Sequence, residues 1–290
     1  MKPAPFVYLA PEALGEAVEA LREHGSEGKV LAGGQSLVPM MNMRLAHPAV
    51  LVDVARIPEL AGVRSNGRLA IGACTRQATV LRDDDVATRF PLIREALRNV
   101  GHAANRARGT FGGSIAHADP AAELPAVILA LGAELVVQGP GGERVVGADD
   151  FFVTFYTTAL DVDEVLTEVR LPEQRPSAWA FGEVSRRHGD FALAGVALTA
   201  ATDGDGDGVV TSARLALFGV ADRPLRATAA EDGLVGRRLG DEAVAAEVAG
   251  LAPEGIEFSS DIHVPEAYRR EAAVALVRRA VLDAANTLEG

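Results

Sequence analysis

Residues 29–36 read Lys29-Val30-Leu31-Ala32-Gly33-Gly34-Gln35-Ser36, a short apolar run that ends in two glycines and a hydroxyl residue. The run predicts a buried strand followed by a tight turn. A helical pattern over residues 11–25 precedes it, and a second apolar run over residues 49–54 follows it. Ser36 is the predicted N-cap of a helix between the two runs. These segments predict a βαβ-like unit whose first strand ends in the glycine turn.

A second segment has the same chemistry and reads Thr110-Phe111-Gly112-Gly113-Ser114. Paired glycines adopt positive φ and approach a ligand closely, because they carry no Cβ. The N–H groups of such a turn can form an anion-binding nest, and a flanking hydroxyl adds a donor. Two facing nests could hold a diphosphate, with Lys29, Arg106 and Arg108 near enough in sequence to offset its charge.

The residues alone leave two interpretations of these segments open. They are either two ordinary tight turns, the commonest use of glycine, or the two sides of one diphosphate site. Neither segment matches the G-x-G-x-x-G dinucleotide fingerprint or the Walker loop, which disfavours a Rossmann or P-loop site.

The rest of the chain mixes strand and helix patterns. We expect strands over 68–73, 134–138, 143–146, 165–171, 178–185 and 209–218, helices over 91–100, 121–131 and 265–285, and a loop of small residues over 109–118. A proline-rich stretch over 172–176 is the predicted linker. The fold class is therefore α+β.

The net charge and the cysteine count disfavour several classes of function. With 28 Lys and Arg against 40 Asp and Glu, the formal net charge is −12, which disfavours a general nucleic-acid binder. Cys74 is the only cysteine, so the chain cannot close an internal disulfide or supply the thiolates of an iron–sulfur or zinc site. The apolar run over 124–131 is too short to span a membrane, and residues 1–10 lack a signal-peptide pattern. We predict a cytoplasmic protein.

Two smaller motifs are weaker. Asp203-Gly204-Asp205-Gly206-Asp207-Gly208 begins like an EF-hand loop, but its twelfth position is Arg214 where a bidentate Glu belongs, so a flexible acidic turn is favoured over calcium binding. His117 and Asp119 follow the second glycine segment closely. A packed or solvated loop histidine is favoured there over a cofactor-side role.

Three segments, in order, resemble the FAD-binding medium subunit of the molybdenum hydroxylases, the carbon monoxide dehydrogenase and xanthine dehydrogenase family. They are residues 29–36, residues 110–114 and Arg186-Arg187-His188-Gly189-Asp190-Phe191-Ala192. Leu225-Arg226 with Ala230-Glu231 also resembles a motif of that family's C-terminal domain. The resemblance implies an α+β fold: a PCMH (vanillyl-alcohol-oxidase) type FAD-binding fold in two subdomains, 1–60 and 61–175, plus a C-terminal α+β domain with a small antiparallel sheet, 177–290.

The resemblance also implies where FAD lies. FAD would sit non-covalently between the subdomains, with residues 29–36 and 110–114 on its pyrophosphate and ribityl chain. Glu123 matches an acidic residue near FAD, and Leu166 matches an apolar residue that packs on the flavin. Gly182 stands where some members have a flavin-side Lys, and Phe191 where relatives have a Tyr. No catalytic residue and no metal ligand is assigned to this chain.

The implied activity is electron transfer. A large partner subunit would hold molybdopterin, and a small one would hold two [2Fe–2S] clusters, in a dimer of heterotrimers. This oxidoreductase subunit would pass electrons from FAD to NAD⁺, a quinone or O₂. Two alternatives stay open: a stand-alone FAD-dependent reductase or oxidase of the same superfamily, which needs an acid–base residue that no motif supplies, and a non-catalytic assembly protein, against which the intact glycines argue.

Overall fold

The computed structural model describes residues 2–203, 208–262 and 264–288. The N-terminal elements are β1 (Val7–Leu9), α1 (Leu14–His24), β2 (Gly28–Leu31), α2 (Leu37–Asn42) and β3 (Val50–Asp53). The three strands are parallel, in the order β1-β3-β2. The predicted βαβ-like unit is confirmed. Ser36 is the N-cap residue of α2, as predicted, although its side chain makes no capping hydrogen bond.

The second part holds an antiparallel sheet of order β4-β5-β10-β6-β7. Its elements are β4 (Val63–Asn66), β5 (Arg68–Gly72), α3 (Gln77–Val80), α4 (Asp84–Arg89), α5 (Pro91–Asn99), α6 (Ala103–Arg108), α7 (Phe111–His117), α8 (Glu123–Leu131), β6 (Glu134–Gly139), β7 (Gly142–Gly147), α9 (Ala148–Phe151), the short pair β8 (Phe152–Thr154) and β9 (Thr157–Thr158), and β10 (Val165–Arg170). The predicted hairpin of β6 and β7 is confirmed.

The predicted loop over 109–118 is wrong, because most of it is helix α7. Glycine has a low helix propensity, which favours a loop. Burial overrides that preference here, since Phe111 and Ile115 are fully buried in the core of this part. The Thr110 hydroxyl caps the helix by accepting a hydrogen bond from the Gly113 N–H at 3.1 Å.

The C-terminal part is an antiparallel sheet of order β11-β12-β13-β14 with three helices. Its elements are β11 (Ala178–Ser185), β12 (Ala192–Thr202), β13 (Val210–Phe218), β14 (Leu225–Arg226), α10 (Thr228–Leu234), α11 (Glu242–Leu251) and α12 (Glu266–Ala284). Strand β12 escaped prediction because both of its faces are buried, so its residues do not alternate between apolar and polar. The acidic turn predicted at 203–208 lies largely outside the described residues.

Helix α8 is the element that joins the two larger parts. All nine of its residues are buried, and it packs on strands β12 and β13 as well as on helix α5. The apolar run seen in the sequence is therefore a core helix between two sheets. Among the described residues, we find no helix whose length and apolar character would let it cross a lipid bilayer.

Polar contacts fix this junction. The Arg214 guanidinium donates to the Leu129 carbonyl at 3.1 Å and forms two 2.7 Å hydrogen bonds with the Asp149 carboxylate. The Thr199 hydroxyl donates to the Ala130 carbonyl at 2.7 Å. These bonds satisfy carbonyls near the C-terminus of α8 with groups from the C-terminal sheet. The two parts are consequently held in one orientation.

The Leu225-Arg226 and Ala230-Glu231 motif has a structural explanation. Glu231 is buried, and its Oε1 accepts hydrogen bonds from the Leu215 N–H at 2.7 Å and from Arg226 Nε at 2.9 Å. The second carboxylate oxygen accepts from the other end of the same guanidinium. This bidentate pair ties helix α10 to strands β13 and β14.

We predict that Glu231→Ala lowers the free energy of unfolding by about 3 kcal/mol, because it leaves the buried Leu215 N–H without its acceptor and the Arg226 guanidinium with only its 3.4 Å contact to Asp149. Glu242→Ala is the matched control, since Glu242 pairs with Arg278 on the surface at 2.7 Å, and exposed pairs contribute under about 1 kcal/mol. Urea denaturation of the full chain, followed by circular dichroism, measures both. Equal losses in the two variants would contradict the assignment.

Candidate functional site

The two glycine segments meet in space. A Cβ added to Gly33 would lie 2.6 Å from the Arg108 carbonyl oxygen and 2.7 Å from Gly109 Cα. On the other side, a Cβ added to Gly113 would lie 3.6 Å from the Cβ of Ala32. The first segment therefore touches the chain that leads into the second one, and the absence of a side chain at Gly33 makes this contact possible.

The third motif reaches the same place. Gly189, at φ +86°, lies against the turn that precedes helix α6, and a Cβ there would come within 2.9 Å of the Gly101 carbonyl oxygen and of His102 Nδ1. Helix α6 runs from that turn to the second glycine segment. All three motifs thus converge around α6 through Gly189, and Phe191 of the third motif is 63% exposed.

Position 182 on strand β11 faces away from the glycine segments. A Cβ on Gly182 would meet Leu276 of helix α12 at 3.4 Å. A side chain at this position would therefore enter the C-terminal core, away from the glycine segments. The neighbouring strand residue, Glu183, faces the other way.

The first glycine segment offers free hydrogen-bond donors. Gly34 has φ +69°, a conformation that suits glycine. Across the described parts of the chain, no hydrogen bond involves the backbone N–H groups of residues 33–37. The Gln35 side chain folds back on the Gly33 carbonyl at 3.3 Å and also accepts from Asn105 at 3.4 Å. This turn has the properties of an anion-binding nest.

The second glycine segment has no free backbone N–H groups at residues 111–114, so the expectation of two anion-binding nests is wrong. The N–H groups of residues 111–114 all donate within the protein: Phe111 to the Thr75 carbonyl at 2.9 Å, Gly112 to the Ala73 carbonyl at 2.9 Å, Gly113 to the Thr110 hydroxyl, and Ser114 to the Thr110 carbonyl at 3.3 Å. A Cβ on Gly112 would overlap Ala73. These glycines therefore allow close packing of α7.

The three predicted cations have different settings. Arg106 already makes hydrogen bonds within the protein, because its guanidinium donates to the carbonyls of Val100 at 2.8 Å and Gly101 at 3.0 Å. Lys29 and Arg108 are exposed. The latter two are the cations whose side chains remain available to a ligand at this junction.

Glu123 is a buried acid whose carboxyl interacts with its own backbone N–H. It is only 6% exposed at the first position of α8, and within the described residues its carboxyl makes no hydrogen bond to another residue. Burial raises the pKa of Glu123 to about 8, the charges of Glu183 and Asp119 raise that pKa further, and the Arg106 charge opposes them. Glu123 is therefore largely protonated at neutral pH.

Glu183 is a half-buried acid, which the sequence analysis missed. Burial raises the pKa of Glu183 to about 7. Its Oε2 is buried and has no hydrogen-bond partner. Glu183 lines a cavity of about 220 Å³ between α5, β11 and α12, whose other polar walls are Glu95, Asn99, Arg279 and Asp283. The sequence contained a signal for this residue, because Glu183 is the one acid in strand β11.

His117 is packed, as favoured from the sequence, although it ends a helix instead of lying in a loop. Its ring centroid lies 5.1 Å from that of Tyr156. The Asp119 carboxylate accepts from the Ala121 N–H at 2.9 Å and from the Tyr156 hydroxyl at 3.5 Å. Burial lowers the pKa of His117, and the nearby Lys29 charge lowers it further, against Asp119. The imidazole is consequently neutral at neutral pH.

Leu166 lies mainly in the core. It is 5% exposed and belongs to the buried cluster of the second part. The pairing of β10 with β6 is irregular directly after it. Little of its side chain is therefore left at the surface for contact with a ligand.

Other candidate sites are weaker. An open groove of about 670 Å³ lies between α1 and the β6–β7 turn, but its charged side chains, Glu19 and Arg22, pair with each other at 2.6 Å. In the part of the chain that the structure describes, no group of three His, Cys, Asp or Glu residues is arranged to hold a metal ion. Burial raises the pKa of Cys74 to about 12, so this thiol is not a nucleophile.

Comparisons with known proteins agree with this geometry. Residues 4–174 match the FAD binding domain in molybdopterin dehydrogenase, and residues 179–284 match the CO dehydrogenase flavoprotein C-terminal domain. The chain is 39% identical to the carbon monoxide dehydrogenase medium chain of Hydrogenophaga pseudoflava, over 97% of each chain. It is 38% identical to the caffeine dehydrogenase subunit beta of Pseudomonas sp. (strain CBB1), over 99% of this chain and 97% of that one.

A solved structure gives the same answer for the fold. Carbon monoxide dehydrogenase from Hydrogenophaga pseudoflava, in a form that lacks the Mo-pyranopterin moiety of the molybdenum cofactor, superposes with a TM-score of 0.95 at 39% identity. The match covers 100% of both chains. The α+β architecture expected from the resemblance, with a small antiparallel sheet in the C-terminal part, is confirmed.

We predict that Gly33→Ala disrupts the junction of the two glycine segments, because its Cβ would meet backbone atoms that cannot swing away. The expected cost is about 1–3 kcal/mol of stability, with faster amide hydrogen exchange at residues 108–110. Gly15→Ala in α1 is the control, since nothing lies within 4 Å of its added Cβ. That variant should be unchanged or slightly more stable. Undisturbed exchange at 108–110 in Gly33→Ala would refute the contact.

A second prediction concerns pH. The pKa of Glu123 lies above its ordinary value of 4.5 in the folded chain, so the folded state holds a proton that the unfolded state has lost. This contribution to stability is complete below about pH 4.5 and disappears as the pH rises to about 8. Glu123→Gln should flatten this part of the pH profile of the free energy of unfolding, and Glu254→Gln, at an exposed position, should not. Identical profiles for wild type and Glu123→Gln would contradict the burial effect.

Proposed function

The chain belongs to the FAD-binding subunits of the molybdenum hydroxylases, and from this we propose that its converging glycine segments hold the FAD diphosphate while electrons pass through the cofactor. FAD is the cofactor of this chain, and the enzyme is an oxidoreductase. The observation that carries the proposal is the row of unpaired N–H groups at residues 33–37, placed against the start of the second segment.

The residues present fit this cofactor. A diphosphate needs several donors and nearby positive charge, and the first segment supplies free backbone N–H groups with Lys29 and Arg108 exposed at the same junction. The hydroxyls of Ser36 and Ser114 make no hydrogen bonds among the described residues, so both can donate to a ligand. In our proposal, residues 29–36 bind the pyrophosphate. Residues 110–114 position α7 and supply the Ser114 hydroxyl.

When bound, FAD supplies the redox chemistry, and the protein binds and orients it. Glu123 is proposed to lie near the bound cofactor, with its carboxyl group protonated at neutral pH. Leu166, at the irregular start of β10, is proposed to present backbone and a small part of its side chain to the flavin. Neither residue is assigned a chemical step on a substrate.

The partners follow from what this chain lacks. Its single Cys74 cannot hold an iron–sulfur cluster. The homologues are medium chains of multi-subunit enzymes. We propose a large molybdopterin subunit and a small subunit with two [2Fe–2S] clusters as partners, assembled as a dimer of heterotrimers, with NAD⁺, a quinone or O₂ as the acceptor. We also propose a cytoplasmic location and the subdomain limits 1–60, 61–175 and 177–290.

The direct test is to purify the chain with its co-expressed partners and record the visible spectrum. We expect flavin absorbance, release of FAD on heating, and bleaching of the flavin when the complex oxidises its substrate. A complex that assembles and turns over without flavin on this chain would overturn the proposal.

Two hydroxyl variants separate binding from folding. Ser36→Ala should weaken FAD binding about tenfold, the effect of one lost hydrogen bond, without changing stability. Thr110→Ala should instead lower the free energy of unfolding by about 1 kcal/mol, because the Thr110 hydroxyl caps α7. Fluorescence titration with FAD and thermal denaturation measure the two effects. A stability loss in Ser36→Ala, with FAD affinity unchanged, would contradict the assignment.

A further inference from the structure

Helix α2 and the turn after it, residues 37–45, form an exposed apolar surface that we call the α2 face. Its most exposed apolar side chains are Val38, Met43 and Leu45, which are 42%, 55% and 68% exposed. Met41 is the single buried residue of α2. Isolated apolar residues are common on protein surfaces, but a contiguous group of them marks a surface that binds something.

Nothing in the described part of the chain covers this face. The other helices pack on a strand or on another helix, whereas no helix or strand among the described residues packs extensively on α2. A helix of six residues is not stable by itself in water and depends on packing of its apolar side. Within the chain, α2 fully buries only Met41, so its other apolar side chains are left for a contact outside the chain.

The internal methionines of the chain all lie in this segment. The chain has four methionines, which are Met1, Met40, Met41 and Met43. The thioether side chain is flexible and polarisable, so it adapts to a partner's surface, and methionine is enriched in protein–protein interfaces. Only Met41 of the three is buried. The segment therefore does not use its methionines mainly to fill the core.

The turn after α2 is held in a fixed conformation. Arg44 has φ +58°, a left-handed conformation that is unusual for a residue other than glycine. Its N–H donates to the Met41 carbonyl at 3.0 Å, and the next N–H, of Leu45, donates to the carbonyl of residue 40 at 2.8 Å. Met43 and Leu45 flank this turn, so less conformational freedom is lost when a partner covers them. Strained backbone of this kind clusters at binding sites.

The α2 face is continuous with the turn proposed to hold FAD. A Cβ added to Gly34 would lie 3.2 Å from Cγ2 of Val38, so the Val38 side chain lies against that turn. The unpaired N–H groups of residues 33–37 lead directly into α2. A protein that covers Val38 and the apolar side chains beyond it would therefore lie beside the proposed cofactor-binding turn.

The surroundings of the α2 face are basic, although the chain as a whole is acidic. The formal net charge is −12, yet residues 28–52 contain Lys29, Arg44 and His47 and no Asp or Glu. Lys29 and Arg44 are exposed, and neither forms an ion pair within the described residues. This charge favours a partner with acidic side chains around its apolar contact. A second copy of this chain would instead bring the same cations together.

We propose that the α2 face is the docking surface for the small subunit with iron–sulfur clusters, which meets it with an apolar patch bordered by acidic side chains. The proposal rests on the proposed function, because it needs FAD on the turn beside α2. This chain has one cysteine and cannot hold a cluster, so its electrons arrive from a protein that approaches the cofactor. Docking on the α2 face brings that protein to the cofactor-binding turn.

Methionine oxidation tests the α2 face directly. Trypsin cleaves after Lys29 and Arg44 and releases residues 30–44, a peptide with all three internal methionines. In the isolated full chain, dilute hydrogen peroxide should oxidise Met43 fastest and Met41 slowest, because their exposure differs. In the purified complex, oxidation of Met43 should be at least about tenfold slower, with Met41 as the internal control. Tandem mass spectrometry of the peptide measures both sites. An unchanged rate at Met43 in the complex overturns the proposal.

The full chain loaded with FAD but without partners separates the effect of the cofactor from that of the small subunit. Its Met43 should be oxidised at the rate of the FAD-free chain, because the proposed FAD contacts of the first segment end at residue 36. Protection of Met43 by FAD alone would overturn the proposal. Protection in the isolated chain, together with a dimer in analytical ultracentrifugation, would also overturn it, because a second copy would then cover the face.

Charge substitutions test the strength of the contact. Met43→Glu and Leu45→Glu should each weaken binding of the small subunit at least about tenfold, because they place a carboxylate in an apolar contact with an acidic border. Val235→Glu is the matched control, since Val235 is 48% exposed in the C-terminal part, and it should bind like wild type. Arg44→Gln should reduce the dependence of the affinity on salt. Biolayer interferometry measures the affinities, and thermal denaturation should show no difference in stability between the two Glu variants and the control. Wild-type affinity in both Glu variants overturns the proposal.

A photo-reactive benzophenone amino acid at position 45 identifies the protein that covers the face. Cross-linking to the small subunit supports the proposal, and cross-linking to the large subunit overturns it. The flavin content of the complex separates this proposal from the proposed function. A wild-type complex without FAD overturns both. A complex that holds FAD and leaves Met43 unprotected overturns the docking surface alone.

Discussion

The contact between Gly33 and the backbone of residues 108–110 is the constraint on which the rest of the site depends. That backbone is held from the far side, where the Arg76 guanidinium donates to the Arg108 carbonyl and the Gln77 N–H donates to the Gly109 carbonyl at 2.9 Å. The first glycine segment therefore packs against backbone that is held in place by hydrogen bonds within the second part of the chain. Any side chain at Gly33 would separate the two, and the free N–H groups beside it would lose their position.

The two glycine pairs look alike in sequence but perform different tasks. At residues 33–37 the backbone keeps its donors free, which is the requirement for binding an anion. At residues 111–114 every backbone N–H donates within the protein. Position 112 requires glycine because Ala73 leaves no room for a Cβ there. The proposed diphosphate site therefore has free backbone donors on one side only. The second segment contributes by fixing the position of the first and by its serine hydroxyl.

This difference marks the limit of what the sequence could predict. The order of elements in the N-terminal unit, the β6–β7 hairpin and the C-terminal helix α12 followed from periodicity and turn residues, because those signals are local. Helix α7 did not, because the burial of Phe111 and Ile115 overrides the low helix propensity of glycine, and strand β12 did not, because burial of both its faces removes the alternation. Which N–H groups stay free depends on partners such as Thr75 and Ala73, which are far from residues 110–114 in sequence.

The same reasoning applies to charge. The formal net charge of −12 counts every acid as ionised, yet Glu123 is buried and largely uncharged near neutral pH, and the half-buried Glu183 has a pKa raised to about 7. Their environment, and not their number, sets this state. Cations close to the cavity are already paired, Arg279 with Asp283 and Arg98 with Glu95. An unpaired cation at the cavity would favour the ionised form of Glu183 and lower its pKa. Because those cations are paired elsewhere, burial is the factor that sets the raised pKa of Glu183.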